Sequence, residues 1–306
     1  MAKKIDVQTL KKMIRDDEEL ALLDVREAGQ FGIDHMLHAI PCPYSTLETR
    51  VGLIAPRASV RTVLIDEGDG VAEKAAARLA DMGYSDVSIL DGGNPSWAAA
   101  GFEVFQGVNV PSKAFGEVVE HDANTPRITA DDLHGMQEAG DNIVIVDGRT
   151  PAEHNRMSIP GGMSLPNAEM LYRIHDIAPD PETTIVVNCA GRTRSIIGAQ
   201  GLINGGVPNK VVALKAGTMG WTLAGYELDH GSTLKYPDRV SDEAAALAEQ
   251  RTAEILKRFD VSSVDAATLE TWRADDSRTT FLLDVRAEDE FLAGHLPGSV
   301  HAPGGQ

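Results

Sequence analysis

Short apolar runs recur along the chain, each closed by a polar residue and followed by a segment with helical spacing. Leu22-Leu23-Asp24-Val25-Arg26-Glu27, Ile145-Val146-Asp147-Gly148-Arg149-Thr150 and Leu282-Leu283-Asp284-Val285-Arg286-Ala287 are one motif written three times. Each is an apolar strand that delivers an Asp and, two residues on, an Arg. The first two copies then continue in parallel. Val63-Leu64-Ile65-Asp66 matches Val186-Val187-Asn188-Cys189, and strands over 87–90 and 211–214 follow. The spacing predicts helices over 73–82 and 195–204, and both copies close on a Gly-rich turn before Trp97 or Trp221. Apolar runs alternating with helices predict an α/β fold: tandem domains, each a parallel sheet flanked by helices, plus an incomplete third copy.

The repeats set the boundaries. A first domain is expected over 1–106 and a linker over 107–126, mixed and polar, with Pro111 and Pro126. A second domain over 127–231 opens on a helix capped by Thr129. The segment 232–262 reads as a helical linker from Ser241 to about Phe259, with Leu247, Ile255, Leu256 and Phe259 as one packed face. It is expected to dock on a neighbouring domain. Residues 263–306 form the first part of a third domain, stopping just past the Pro297-Gly298 turn. Half of such a domain cannot bury its own sheet face, so a fragment of a longer protein is expected, its last part leaning on the rest of the molecule.

Charge narrows the partners. A net charge of −18 over 306 residues disfavours nucleic acid and anionic membranes for the surface as a whole. No stretch approaches membrane-spanning length, and no apolar leader follows Met1. Two cysteines, Cys42 and Cys189, fall in different repeats, as suits free thiols in a reducing cytoplasm.

The stretch with the most chemistry is Ile185-Val186-Val187-Asn188-Cys189-Ala190-Gly191-Arg192-Thr193-Arg194-Ser195. A buried strand is expected to end at Asn188, a tight loop to follow, and a helix to start near Ser195. A Cys there meets backbone N–H groups without helical partners, at the positive end of the helix, which favours thiolate over thiol. Arg192 and Arg194 add donors for an anion that must be small and held at close range. The bland alternative, a core Cys at a strand end, is weakened by two arginines in so short a loop.

Together these residues resemble the tandem-domain rhodanese family of sulfurtransferases: the Asp-x-Arg strand end, the His295-Leu296-Pro297-Gly298-Ser299 turn, the Cys189 loop and the Gly-rich turn before Trp221. The resemblance implies transfer of sulfane sulfur from a donor such as thiosulfate or a persulfide to a thiophilic acceptor through a Cys189 persulfide. It implies Cys189 as nucleophile and Ala190, Gly191, Arg192, Thr193, Arg194 and Ser195 as the substrate cradle. No cofactor and no metal are called for. The partners it implies are a small anionic donor, a thiol or cyanide-like acceptor, or a sulfur-accepting protein, with a homodimer left open. Phosphatases of the same fold carry one more residue between Cys and Arg. The spacing that ends here at Arg194 suits a single sulfur better than a tetrahedral phosphate. A persulfide carrier with a dedicated partner and a non-catalytic scaffold or redox sensor are the other readings.

The first copy departs from this pattern, with Asp66 at the Cys189 position and no Arg in Glu67-Gly68-Asp69-Gly70-Val71. It is expected to be inactive, and its acids to be a solvated loop rather than a metal site. Cys42, between Pro41 and Pro43, reads as structural. Asp147 and Arg149 are expected to brace the site, His154 to take a helical surface position, and Trp97 and Trp221 to be core.

Overall fold

The structure, a computed structural model, describes residues 2–303. The chain divides into two compact units: the residues up to Pro111 with Val264–Thr280, and Ser112–Ser263 with the residues from Phe281 on. The first unit runs β1 (Lys3–Ile5), α1 (Val7–Met13), β2 (Ala21–Asp24), α2 (Ala28–Ile33) and β3 (Ile40–Pro41). It continues through α3 (Leu47–Ile54), β4 (Thr62–Ile65), α4 (Val71–Asp81), β5 (Val87–Leu90) and α5 (Gly93–Ala99). All but the first two residues of α6 (Val110–Ala123) belong to the second unit. There follow β6 (Arg127–Ile128), α7 (Ala130–Ala139), β7 (Ile143–Asp147), α8 (Pro151–Arg156) and β8 (Met163–Ser164). Then come α9 (Asn167–Ile177), β9 (Thr184–Asn188), α10 (Thr193–Asn204), β10 (Val211–Leu214), α11 (Gly217–Leu223) and α12 (Asp242–Arg258). The remaining elements are α13 (Ala266–Arg273), β11 (Leu283–Asp284), α14 (Glu288–Ala293) and β12 (Val300–His301).

Each unit holds a five-stranded parallel sheet with one strand order, β1-β5-β4-β2-β3 in the first and β6-β10-β9-β7-β8 in the second. Alternation along the central strands sends side chains to two apolar clusters, which is why these runs are apolar throughout. In the first unit Leu23 and Leu64 face Leu47, Val51 and Leu79, while Leu22, Val63 and Ile65 face Leu10, Phe31 and Trp97. In the second, Val187 joins Met170, Ile174 and Leu202, while Val186 joins Leu133, Ile159 and Trp221. The indole N–H of Trp97 donates to the Glu103 carbonyl and that of Trp221 to the Glu227 carbonyl, so both tryptophans are core residues with a satisfied polar end.

The stretch 107–126 is not a plain polar linker, because most of it is α6. Pro111 lies in the first turn, where a missing N–H costs little. Helix α12 packs on α9 of its own unit, its cap Ser241 bonded to Asp176 and Ala244 and Ala248 buried. Of its expected apolar face, Leu247, Ile255 and Leu256 are part-buried, whereas Phe259 is exposed. The stretch 263–306 is divided, α13 in the first unit and β11 to β12 in the second. Strands β11 and β12 pair only with each other, and Leu283, Val285, Leu292 and Leu296 stay exposed. No helix among the described residues is long and apolar enough to cross a membrane.

Candidate functional site

The two central loops stand at one register. Asp24 pairs with Ile65 across β2 and β4, and Asp147 with Asn188 across β7 and β9. Asp66 and Cys189 are therefore each the first residue beyond the carboxyl end of the central strand, where parallel sheets open to ligands.

Each loop is gripped by the turn that follows the next strand. Thr218 N–H donates to the Cys189 carbonyl at 2.8 Å and Met219 N–H to the Ala190 carbonyl at 3.0 Å. A Cβ on Gly217, whose φ is +51°, would lie 2.0 Å from the Cys189 carbonyl oxygen, so only Gly allows this approach. The first unit repeats the grip: Asn94 N–H donates to the Asp66 carbonyl at 2.8 Å, and a Cβ on Gly93 would lie 2.2 Å from that oxygen. The Gly-rich turns visible in sequence are thus the clamps of the two loops.

The side chains then diverge. The Asp66 carboxylate turns into its own loop and accepts from Gly68 N–H at 2.9 Å, Gly70 N–H at 3.1 Å and Ala72 N–H at 3.0 Å. Glu67 pairs with Arg26 at 2.8 Å. Of the acids expected to form a solvated loop, Glu67 and Asp69 are exposed, whereas Asp66 is buried and the main chain holds its oxygens. Among the described residues no cluster of His, Cys, Asp and Glu is arranged to hold a metal. The N–H groups at the same spacing from Cys189 belong to Gly191, Thr193 and Ser195.

Cys189 itself is 2 % exposed, yet it belongs to neither apolar cluster described for its unit. Its thiol donates to Ser195 Oγ at 3.7 Å, and that hydroxyl donates to the Arg192 carbonyl at 2.8 Å. Helix α10 begins at Thr193, two residues before the expected start, so Ser195 lies inside its first turn. Cys42 contrasts: it is fully buried in an apolar cluster, and burial pushes its thiol up.

Both loop arginines are held by carboxylates. Arg194 forms a two-pronged pair with Glu153 at 2.8 and 2.9 Å. That bond holds the Glu153 carboxyl below its ordinary range and raises the guanidinium in turn. Glu153 is fixed in place because it also accepts from Thr150, the cap of α8. Arg192 reaches out to α6, pairing with Glu117 at 2.9 Å and with Glu120, which also binds Arg127. Gly116 of α6 lies against the loop, since a Cβ there would be 2.9 Å from Thr193 Cγ2. Asn167 adds a bond from Nδ2 to the Arg194 carbonyl at 2.9 Å. Glu117, Glu120, Glu153 and Asn167 were not singled out from the sequence, because nothing local to them points to the Cys189 loop.

Asp147 and Arg149 lie beneath the loop, both buried. Arg149 donates Nε and Nη2 to Asp147, Nη2 at 2.6 Å, and closes on the Met157 carbonyl, also at 2.6 Å. Arg26 does the same with Asp24 and the Asp34 carbonyl, and Arg286 with Asp284 and the Gly294 carbonyl. The three motifs are a brace that ties a strand end to the turn after the next helix. His154 is not at the surface, as its helical position suggested, but 1 % exposed. It lies 3.1 Å from Asp147 Oδ2 and 3.3 Å from Ser232 Oγ. Burial pushes the Asp147 carboxyl up, but the bonds from His154 and Arg149 outweigh it and hold it below 3.8.

The family model for the rhodanese-like domain matches residues 6–100, 129–224 and 265–306. The crystal structure of a thiosulfate sulfurtransferase from Pseudomonas aeruginosa is 47 % identical with a TM-score of 0.97, over 99 % of this chain and 58 % of that one. This chain thus spans a little over half the length of that relative. The solution structure of a rhodanese-like domain from Anabaena is 24 % identical over 36 % of this chain and 83 % of that one, with a TM-score of 0.33. No curated protein matches.

Proposed function

The chain belongs to the rhodanese-like domain family, and on that premise we propose that it is a sulfurtransferase in which Cys189 carries sulfane sulfur as a persulfide. The observation that carries this reading is the placement of Cys189 at the head of β9, in a clamped loop that runs into the first turn of α10. The relative that matches nearly the whole chain is named for the same chemistry.

The step is a displacement at sulfur. The Cys189 thiolate attacks the outer sulfur of the donor, a new S–S bond forms, and the donor's S–S bond breaks with its electron pair leaving on sulfite or a thiolate. A thiophilic acceptor such as cyanide or a thiol then attacks the outer sulfur of the persulfide and returns Cys189 as thiolate. Main-chain donors of Ala190, Gly191, Arg192, Thr193, Arg194 and Ser195 stabilise the anionic persulfide, and Asp147 with Arg149 holds the strand end beneath them. The first unit carries Asp66 at this position and supports rather than reacts. Two free cysteines suit a reducing compartment such as the cytoplasm, and the acceptor is a small thiol or a sulfur-accepting protein.

Intact mass after treatment with a sulfane donor tests this directly. A gain of one sulfur that cyanide removes, absent from Cys189→Ser and kept in Cys42→Ser, is the expected result. An unchanged mass, or a stable oxygen adduct instead, would refute sulfur carriage at this residue.

A further inference from the structure

Both arginines of the Cys189 loop have carboxylate partners. Arg127, Arg192 and Arg194 are matched by Glu117, Glu120 and Glu153, each carboxylate within ion-pair reach of one or two of those guanidinium groups. We infer that Glu117, Glu120 and Glu153 make this site selective for sulfane donors with at most one negative charge, such as thiosulfonates and hydropersulfides, over the thiosulfate dianion. The inference rests on the reading of Cys189 as the sulfur carrier and names the donor class that site prefers.

Geometry is the first reason. A sulfonate binds a guanidinium through the same planar fork that a carboxylate uses, and Glu153 already occupies the Nη1–Nη2 edge of Arg194. A donor taking that edge would have to displace it. Glu153 is no loose surface acid, since Thr150 and the start of α8 fix it, and its removal from Arg194 would strand a half-buried carboxylate. Glu120 is likewise mostly buried and held from two sides by Arg192 and Arg127.

The first unit supplies the second reason. Its loop has no Arg of its own, yet it holds the Asp66 carboxylate on three main-chain N–H groups. A loop of this kind therefore holds a carboxylate on main-chain N–H groups, while the guanidinium nearby, Arg26, is taken by Glu67. A second negative charge on the donor finds no unpaired cation among Arg127, Arg192 and Arg194, in a chain whose net charge is −18.

The reaction balances for either donor. Thiosulfate gives the Cys189 persulfide anion and sulfite, with the charge of two leaving on sulfite. Methanethiosulfonate gives the same persulfide and methanesulfinate, a monoanion. A neutral hydropersulfide gives a protonated Cys189 persulfide and the donor's thiolate. The donors thus differ in charge while the bond made at Cys189 is the same.

The test compares thiosulfate with methanethiosulfonate on the whole chain, reading kcat and KM with cyanide as acceptor. The wild type is expected to favour the monoanion by about tenfold or more in kcat/KM, equivalent to ~1.4 kcal/mol. Glu153→Gln and Glu120→Gln keep the shape and acceptor oxygen but remove the charge. Each is expected to lower KM for thiosulfate severalfold while leaving methanethiosulfonate within about twofold, a split that general loosening of the fold would not produce. Glu117→Gln, at an exposed position, gives a smaller change of the same sign and guards against loss of folding. Equal use of both donors by the wild type, or equal shifts for both in the variants, overturns the selectivity and leaves Cys189 as carrier intact. Failure of Cys189 to take sulfur from either donor overturns both.

Discussion

At the scale of single residues, the clamp on the loop is the most exacting contact in the site. Gly217 approaches the Cys189 carbonyl so closely that an added Cβ would lie 2.0 Å from it, at a φ of +51° that residues with a Cβ rarely adopt. The obstacle is main chain, so no rotamer relieves it. Gly217→Ala is expected to cost roughly 2–3 kcal/mol in urea melts and to cut sulfur uptake at Cys189 by more than about tenfold. Gly93→Ala meets the same obstacle, 2.2 Å from the Asp66 carbonyl, and should lose comparable stability while uptake is kept. Full uptake in Gly217→Ala would show the clamp to be dispensable. What the sequence disclosed at this scale follows from how local each signal is. The Asp-x-Arg brace is legible because both partners lie two residues apart and recur three times. The Cys189 loop is legible because the thiol and both arginines fall within six residues. His154 was not legible: a helix of six residues with a Pro start looks solvated until Ser232, 78 positions on, closes over it.

At the scale of elements, two helices decide how the loop is charged. Helix α6 was hidden because Pro111, Pro126 beyond its end and its polar residues read as a linker, and its amphipathic pattern is weak. Its position became visible only through Gly116 against Thr193 and Glu117 and Glu120 against Arg192. Helix α8 was expected, but not that Glu153 in its first turn would serve as both cap partner and anchor of Arg194. The bond from Arg194 holds the Glu153 carboxyl below the 4.5 of a free glutamate, with burial opposing it. A depressed carboxyl binds fewer protons folded than unfolded, so its stabilisation is present above the unfolded pKa and is lost as pH falls through the folded one. The wild type is therefore expected to lose stability as pH falls below the 4.5 of a free glutamate, and Glu153→Gln to show a shallower acid limb. Denaturant melts across that range, with hydrogen exchange in α8 and α10 as the local readout, provide the measurement. Parallel limbs for the two proteins would mean that this pair contributes no proton linkage.

At the scale of the whole molecule, two copies of one sheet order carry different groups at the same strand end. The first closes its loop around an internal carboxylate, and the second leaves a thiol there with guanidinium groups already neutralised. The chain as a whole carries −18, so a small anion is repelled at long range and gains favourable contacts only inside the loop. Ionic strength separates these two ranges, because the screening length shrinks from about 30 Å at 0.01 M salt to about 8 Å at 0.15 M. Screening then removes most of the long-range repulsion and little of the contact energy. Loading of Cys189 by thiosulfate, followed by rapid quench and mass, should therefore speed up severalfold over that span. The increase for methanethiosulfonate should be the smaller, since repulsion scales with the donor's charge. A rate that fell with added salt would mean instead that Arg192 and Arg194 draw donors in from a distance, and that their carboxylate partners give way before the donor arrives.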